Sequence, residues 1–583
     1  MSAGRTTRVL QLGLVTVASL ALGLGAAAPA GADPAPAPLA LNAAGLPDPG
    51  DSGPNAVTVT EYNDGDTAFT PPGFPGPVEI RASVHYPTGL AGGERPLILL
   101  MHGRHSTCFS GGSAFLEWPC TGGRQTIPSF QGYDYLAANL ASWGYIVVSV
   151  SANGINARDN SVGDLGMLAR AQLIQKHLDK WQTFSTVGGS PFGSLFVGKV
   201  DMDDIGTMGH SRGGEGVARH FVLNESLGSP YGINAVLPLA PVDFNRPIVD
   251  DVALSVILPY CDGDVSDLQG AHFYDDALYT SPTDATAKYM QEILGANHNH
   301  FNTIWTPGGW PAGTFNDTTC SSIALTAPQQ RNVGEAYMAG FFRLELGGPG
   351  AEPAFKPYFD GTLVEPASSE PADTHTSYHA ASSSRRDVNI YKVAADLTTN
   401  ELGGAVNQKK LTPFDLCGGE SPQPQHCLSV STGQQPHTVA SARSSKRGLS
   451  QLRYGWTAKR AQVSNAVPAA SGDVSDFATL TFRIARNFAD ARNPAGQASD
   501  LNVILTDGSG AKKAVKVSDW SDALFAQPTA GSGLPKLVHN TVRIPLTAFT
   551  GVDLTDVSKI TFKHNVKSSG AVLTTDLAFT DAS

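Results

Sequence analysis

Up to about residue 346 the chain alternates between unbroken apolar runs and segments of helical period. Beyond residue 375, apolar positions recur at every second residue. Residues 96–101 and 145–150 are continuous apolar runs, the pattern of strands buried on both faces. Further strands are expected at 57–60, 78–84, 205–208, 235–239, 252–258 and 288–294. Helices are expected at 135–141, with Gly144 as the stop, at 165–181, after Ser211, and at 329–346. Strands alternating with helices predict a mostly parallel central sheet covered on both faces, an α/β class. Gly347-Gly348-Pro349-Gly350 breaks the pattern, and residues 349–375 read as a linker. The runs at 480–484, 501–505, 542–546, 560–562 and 576–579 then alternate between two faces. They predict an all-β sandwich over 376–583.

A chain of 583 residues exceeds one ordinary core, which fits two domains. Residues 1–32 read as a signal peptide: Arg5 and Arg8, an apolar stretch over 9–28, and Ala30-Gly31-Ala32 as the cleavage site. Residues 33–54, rich in Pro, Ala and Gly, read as a flexible leader, and 55–348 as the first folded domain. No other stretch is long and apolar enough to span a bilayer, so a secreted, extracellular monomer without a membrane span is expected. The formal charge of −12 argues against nucleic acid as a partner. Six cysteines in an exported chain suggest disulfides. Proximity favours Cys108–Cys120 and Cys417–Cys427, which leaves Cys261–Cys320; other pairings stay open.

The chemistry concentrates at Gly209-His210-Ser211-Arg212-Gly213, between an apolar strand and a helix. Such a turn strains a serine and exposes its hydroxyl above the sheet, while the flanking glycines let strand and helix pass closely. Ser211 is therefore the expected nucleophile. A serine hydroxyl needs a base, and the base an orienting acid, which follow in the order nucleophile, acid, base. After the strand at 252–258 comes Cys261-Asp262-Gly263-Asp264-Val265-Ser266-Asp267. Asp264 is the expected acid, three or four residues past the strand, with Asp262 and Asp267 as alternatives. The same cluster also reads as a simple turn or a calcium loop, although it lacks the EF-hand pattern. In Gly295-Ala296-Asn297-His298-Asn299-His300, His298 is the expected base and His300 the alternative. The H-x-H spacing would suit a metal, but no third ligand lies nearby. The expected oxyanion donors are the backbone N–H of Arg212 and that of Arg104, after His102-Gly103, with His105 as the alternative. The Arg104 side chain reads as a structural partner of Glu215 or an aspartate, or else as a substrate contact.

With His102-Gly103, the elbow Gly209–Gly213, an Asp after a late strand and the loop Gly295–His298, residues 57–346 resemble the α/β-hydrolase superfamily. They are similar to secreted bacterial esterases of the cutinase and polyester-hydrolase type, with Arg212 where those enzymes carry Met. The resemblance implies a secreted serine hydrolase that cleaves carboxylic esters, polymeric ones among them, through Ser211, Asp264 and His298, with no metal or other cofactor. An amidase or peptidase with the same triad, or a non-catalytic carbohydrate- or surface-binding protein, are the alternatives. Without a long apolar lid segment, short to medium acyl groups are the expected substrates. Ile544-Pro545-Leu546-Thr547-Ala548-Phe549 and the terminal strands resemble jelly-roll carbohydrate-binding modules. That likeness implies polysaccharide contact through Trp456 or Trp520, although a core role fits each ring and a spacer or lid role fits the module.

Overall fold

A nine-stranded sheet carries the first part of the chain in this computed structural model, which describes residues 45–307, 320, 322–418, 427–428, 449–530 and 534–582. The signal-peptide reading and the leader up to residue 44 lie outside the described residues. Strands β1 (Val57–Asn63), β2 (Arg81–Pro87) and β3 (Arg95–Met101) come first. A small antiparallel sheet follows, made of β4 (Cys108–Ser110), β5 (Ser113–Phe115) and β6 (Gln125–Thr126). Next are α1 (Asp134–Ser142), β7 (Ile146–Val150), α2 (Asn153–Asn156), α3 (Met167–Thr186), β8 (Val200–His210) and α4 (Arg212–Ser226). Then come β9 (Ile233–Leu239), β10 (Ala253–Pro259), α5 (Ala271–Ala277), β11 (Lys288–Leu294), α6 (Ala327–Glu345) and β12 (Asp373–His379). The large sheet runs β1-β2-β7-β3-β8-β9-β10-β11-β12.

Why β3 sits at the centre is visible in its side chains. Leu97, Leu99 and Met101 enter one core cluster, and Ile98 and Leu100 the other, so an unbroken apolar run feeds both faces. One face is covered by α3 and α4 through Leu173, Ile174, Trp181, Val217 and Phe221. The opposite face is covered by α1 and α6 through Leu136, Leu140, Val333, Tyr337 and Phe341. The segment read as a linker is packed as well: Phe355 and Phe359 are buried in the second cluster, and β12 closes the sheet edge.

The remaining strands are β13 (Arg385–Asn389), β14 (Val406–Lys409), β15 (Phe414–Gly418), β16 (Ser450–Trp456), β17 (Ala461–Ala466) and β18 (Phe477–Arg486). They continue as β19 (Asn502–Asp507), β20 (Lys512–Lys516), β21 (Asn540–Pro545), β22 (Val557–His564) and β23 (Gly570–Ala582). They form two antiparallel sheets, one ordered β15-β16-β23-β18-β21 with β13 beside β23, the other β14-β17-β22-β19-β20. Their inner faces share one apolar core that includes Leu480, Phe482, Val503, Val542 and Phe562. This is the expected β-sandwich, stabilised by the apolar core between the two sheets.

The expected class needs correction. The chain is β-rich, with 31% strand against 22% helix, and is not a helix-rich α/β-hydrolase with a mostly parallel sheet. Parallel pairing is confined to five neighbouring strand pairs within one sheet. Every other described pairing is antiparallel, including both edges of that sheet and the whole of the other three. Strand–helix alternation drew the eye in the sequence. Short antiparallel strands have weak patterns one at a time, and together they outweigh the helices.

All three expected disulfides form: Cys108–Cys120, Cys261–Cys320 and Cys417–Cys427. Among the described residues no helix is long and apolar enough to cross a membrane.

Candidate active site

The end of β8 and the start of α4 meet in a turn too tight for ordinary residues. Ser211 has φ 59° and ψ −123°, a backbone conformation that side chains disfavour. Close packing enforces it. A Cβ on Gly209 would lie 2.0 Å from the Gly213 carbonyl oxygen, and one on Gly213 would lie 2.6 Å from that of Met101. One on Gly103 would lie 2.6 Å from both the His210 carbonyl oxygen and Ser211 Cβ. The β3 loop is thus pressed directly against the serine.

The strands β8, β10 and β11 run parallel, so the segments after them emerge at one end of the sheet. The His298 Nδ1–H donates to Asp262 Oδ2 at 2.8 Å, and both groups are about 1% exposed. Asp262 is fixed in turn, because its Oδ1 accepts from the backbone N–H of Asp264 and of Val265. The ring of His210, the residue before Ser211, stands 4.9 Å from the His298 ring, centroid to centroid. Tyr133 and Trp305 pack against the other sides of His210, its Nδ1 lying 2.9 Å from the Tyr133 hydroxyl. Burial first, and then the neighbouring His298, hold His210 neutral, well below the usual imidazole range.

The expectation for the acid is corrected here. Asp264 is 70% exposed and approaches His298 only on the Nε2 side, at 3.6 Å, so Asp262 makes the orienting bond. Asp267 accepts instead from Gln269 within its own turn. His300 stands apart from these carboxylates; its backbone N–H donates to Asn297 Oδ1, and burial pushes its pKa down.

The segment after β3 is held from beneath. The His102 Nδ1–H and the Asn156 side-chain amide both donate to the Gly103 carbonyl, at 2.8 and 2.9 Å. His102 Nε2 accepts from the Ala152 N–H at 2.9 Å, and burial pushes its pKa down to about 3. A trans peptide aims its N–H opposite to its C=O. With the Gly103 carbonyl turned towards His102 and Asn156, the Arg104 N–H is turned away from them. The Arg212 N–H opens α4, where no carbonyl one turn earlier in the helix can receive it.

The Arg104 side chain pairs with an aspartate, as one of its readings had it. Its Nε donates to Asp159 Oδ1 at 3.1 Å. Arg170 and Arg212 reach Asp159 Oδ2 at 3.0 and 2.8 Å. Glu215 instead receives the backbone N–H groups of Phe244 and Asn245, and burial raises it to about 7.

No protein-family model matches this chain, and no curated protein matches it. The site therefore stands on its own geometry.

Asn156, Asp159 and Arg170 escaped the sequence reading. Asn156 and Asp159 lie on short helical turns and Arg170 in the first turn of α3, and no spacing rule ties them to Ser211. Trp456, considered for sugar stacking, is 1% exposed and stacks on His564, so its ring is closed to a ligand.

Proposed function

We propose that this chain is a secreted serine hydrolase acting on carboxylic esters, with Ser211 as nucleophile, His298 as base and Asp262 as the orienting acid. The observation that carries the reading is a strained serine at the end of β8, next in sequence to a histidine packed on a buried His–Asp pair. Such a constellation suits acyl transfer. In the proposed cycle, Ser211 Oγ attacks the ester carbonyl and passes its proton to His298 Nε2. Asp262 stabilises the resulting imidazolium through Nδ1–H. The N–H groups of Arg212 and Arg104 receive the oxyanion. The imidazolium then protonates the leaving alcohol as the tetrahedral intermediate collapses to an acyl-enzyme. Water gives a proton to Nε2, attacks the acyl carbonyl, and the acid departs as Ser211 regains its proton. Three disulfides favour an oxidising compartment, in keeping with export.

A fluorophosphonate probe tests the assignment. Wild type should be labelled, and Ser211→Ala should lose both labelling and ester hydrolysis, the latter by about 10⁴-fold or more. An unlabelled wild type that turns over no 4-nitrophenyl ester would refute the proposal, and an amide control separates esterase from amidase.

A further inference from the structure

We infer that the site selects esters that carry a carboxylate close to the scissile bond, held by the Arg104 and Arg212 guanidinium groups. This inference rests on the serine-hydrolase reading and names its substrate class. Three guanidinium groups, those of Arg104, Arg170 and Arg212, converge on the single carboxylate of Asp159. Asp159 and Arg170 are fully buried. Arg104 and Arg212 keep 29% and 15% of their side chains exposed. One negative charge thus anchors three positive ones, and the surplus sits on the two arginines that reach solvent.

Both are tied to the nucleophile. Arg212 follows Ser211 directly, and Arg104 follows Gly103, whose Cα packs on Ser211. Arg104 spends its Nε on Asp159 and Arg212 its Nη1, with the latter also reaching Asn160 Oδ1 at 3.2 Å. A guanidinium has five N–H donors, so each retains others that suit an incoming carboxylate. Asp159 holds both forks in place before substrate arrives, which lowers the ordering cost of binding. Phe244, 43% exposed, lies 5.7 Å from the Arg212 guanidinium and adds an apolar wall beside the charge.

Among the described residues Asp159 is the carboxylate that forms ion pairs with Arg104 and Arg212. Glu215 is engaged by the backbone N–H groups of 244–245 and also acts on buried Arg170. Asp264 lies on the His298 side, in solvent. A neutral ester would leave the exposed guanidinium donors to water, whereas a carboxylate gains charge-assisted hydrogen bonds there.

Matched pairs test the inference on the full chain. On the acyl side the pair is mono-4-nitrophenyl glutarate against 4-nitrophenyl pentanoate. On the alcohol side it is 5-acetoxypentanoate against pentyl acetate. In each pair a terminal carboxylate replaces a methyl group. At least one anionic member should be favoured by about tenfold or more in kcat/KM. Raising the salt from about 0.02 to about 0.5 M should shrink that ratio. Arg104→Gln and Arg212→Gln should each reduce it further. The salt series on wild type decides the matter even if neither variant folds. Turnover of the neutral esters with no anionic preference in either pair overturns this inference and leaves the serine mechanism intact. An enzyme that labels with no fluorophosphonate and turns over none of the four esters removes both.

Discussion

Asp262 and Asp264 show what two residues of spacing mean for a carboxylate. Both lie in one turn after β10. Asp262 spends one oxygen on the backbone N–H groups of Asp264 and Val265, which leaves the other directed at His298. The neighbouring Asp264 is largely exposed and reaches only the Nε2 side of His298, at 3.6 Å. In the proposed mechanism Asp262→Asn keeps the turn, because the amide oxygen can still accept those N–H groups, but it removes the charge facing the imidazole. It should lower kcat by about 10³–10⁴-fold. Asp264→Asn should change kcat by less than about tenfold. Steady-state kinetics on one neutral ester compares the two, and equal losses would return Asp264 to the candidate list. The sequence narrowed the acid to three neighbours. It was silent on which one turns inward, since that depends on Asx-turn geometry and on where His298 arrives from β11.

At the scale of elements, the junction of β3, β8 and α4 is built by close approach. Glycines at 103, 209 and 213 stand where any side chain would strike backbone or Ser211. Gly103→Ala places a methyl group 2.6 Å from Ser211 Cβ and from the His210 carbonyl oxygen. Overpacking of this kind costs about 1–3 kcal/mol and displaces whatever yields most easily. The expected outcome is a lowered Tm in thermal unfolding, with a disproportionate fall in kcat because Ser211, the proposed nucleophile, is what must move. A variant with unchanged Tm and kcat would mean that the loop does not press on the elbow. The tight turn itself was legible from sequence, since a strand, a glycine-flanked serine and a helix follow one another there. The class of the chain was not. Alternating strands and helices over 57–346 suggested an α/β class with a mostly parallel central sheet. The antiparallel edges, the small sheet at 108–126 and the sandwich together make the chain β-rich. Pairing direction is decided by partners distant in sequence, and a local hydrophobic pattern does not encode it.

The whole molecule joins the large sheet to the sandwich through buried polar groups. Lys536 donates to the backbone carbonyl of Asp262 at 2.9 Å, and the Lys536 N–H donates to the Tyr260 hydroxyl, also at 2.9 Å. Arg483 bridges Asp275 and Asp576 at 3.0 and 2.6 Å. Glu292 on β11 pairs in register with His375 on β12, and His375 also faces Asp522 and Asp373. Burial pushes Glu292 up to about 7, with His375 and then Lys536 pulling it back. For His375, burial opposes the charge, but Asp522 and Asp373 outweigh it and raise it to about 10. An acid raised on folding binds its proton more tightly in the folded chain. Between its ordinary value near 4.5 and about 7, Glu292 therefore lowers stability as pH rises. Glu292→Gln removes that burden. Its Tm relative to wild type should climb across this window and level off above about 7. Thermal unfolding of both proteins from about pH 4.5 to 8 checks it, and a constant difference would show that the group does not titrate there.

The amino-acid sequence alone determined the glycine-flanked serine turn, the histidine loop, the two short-range cysteine pairs and the two-faced strands of the C-terminal half. Each of these is written in residues close together or in a period repeated along one segment. Only the tertiary structure decided which aspartate meets His298, how three arginines share Asp159, and that antiparallel pairing outweighs the helices. These depend on segments tens to hundreds of residues apart being brought together, and on side chains turning inward or outward once burial makes that choice energetically unequal.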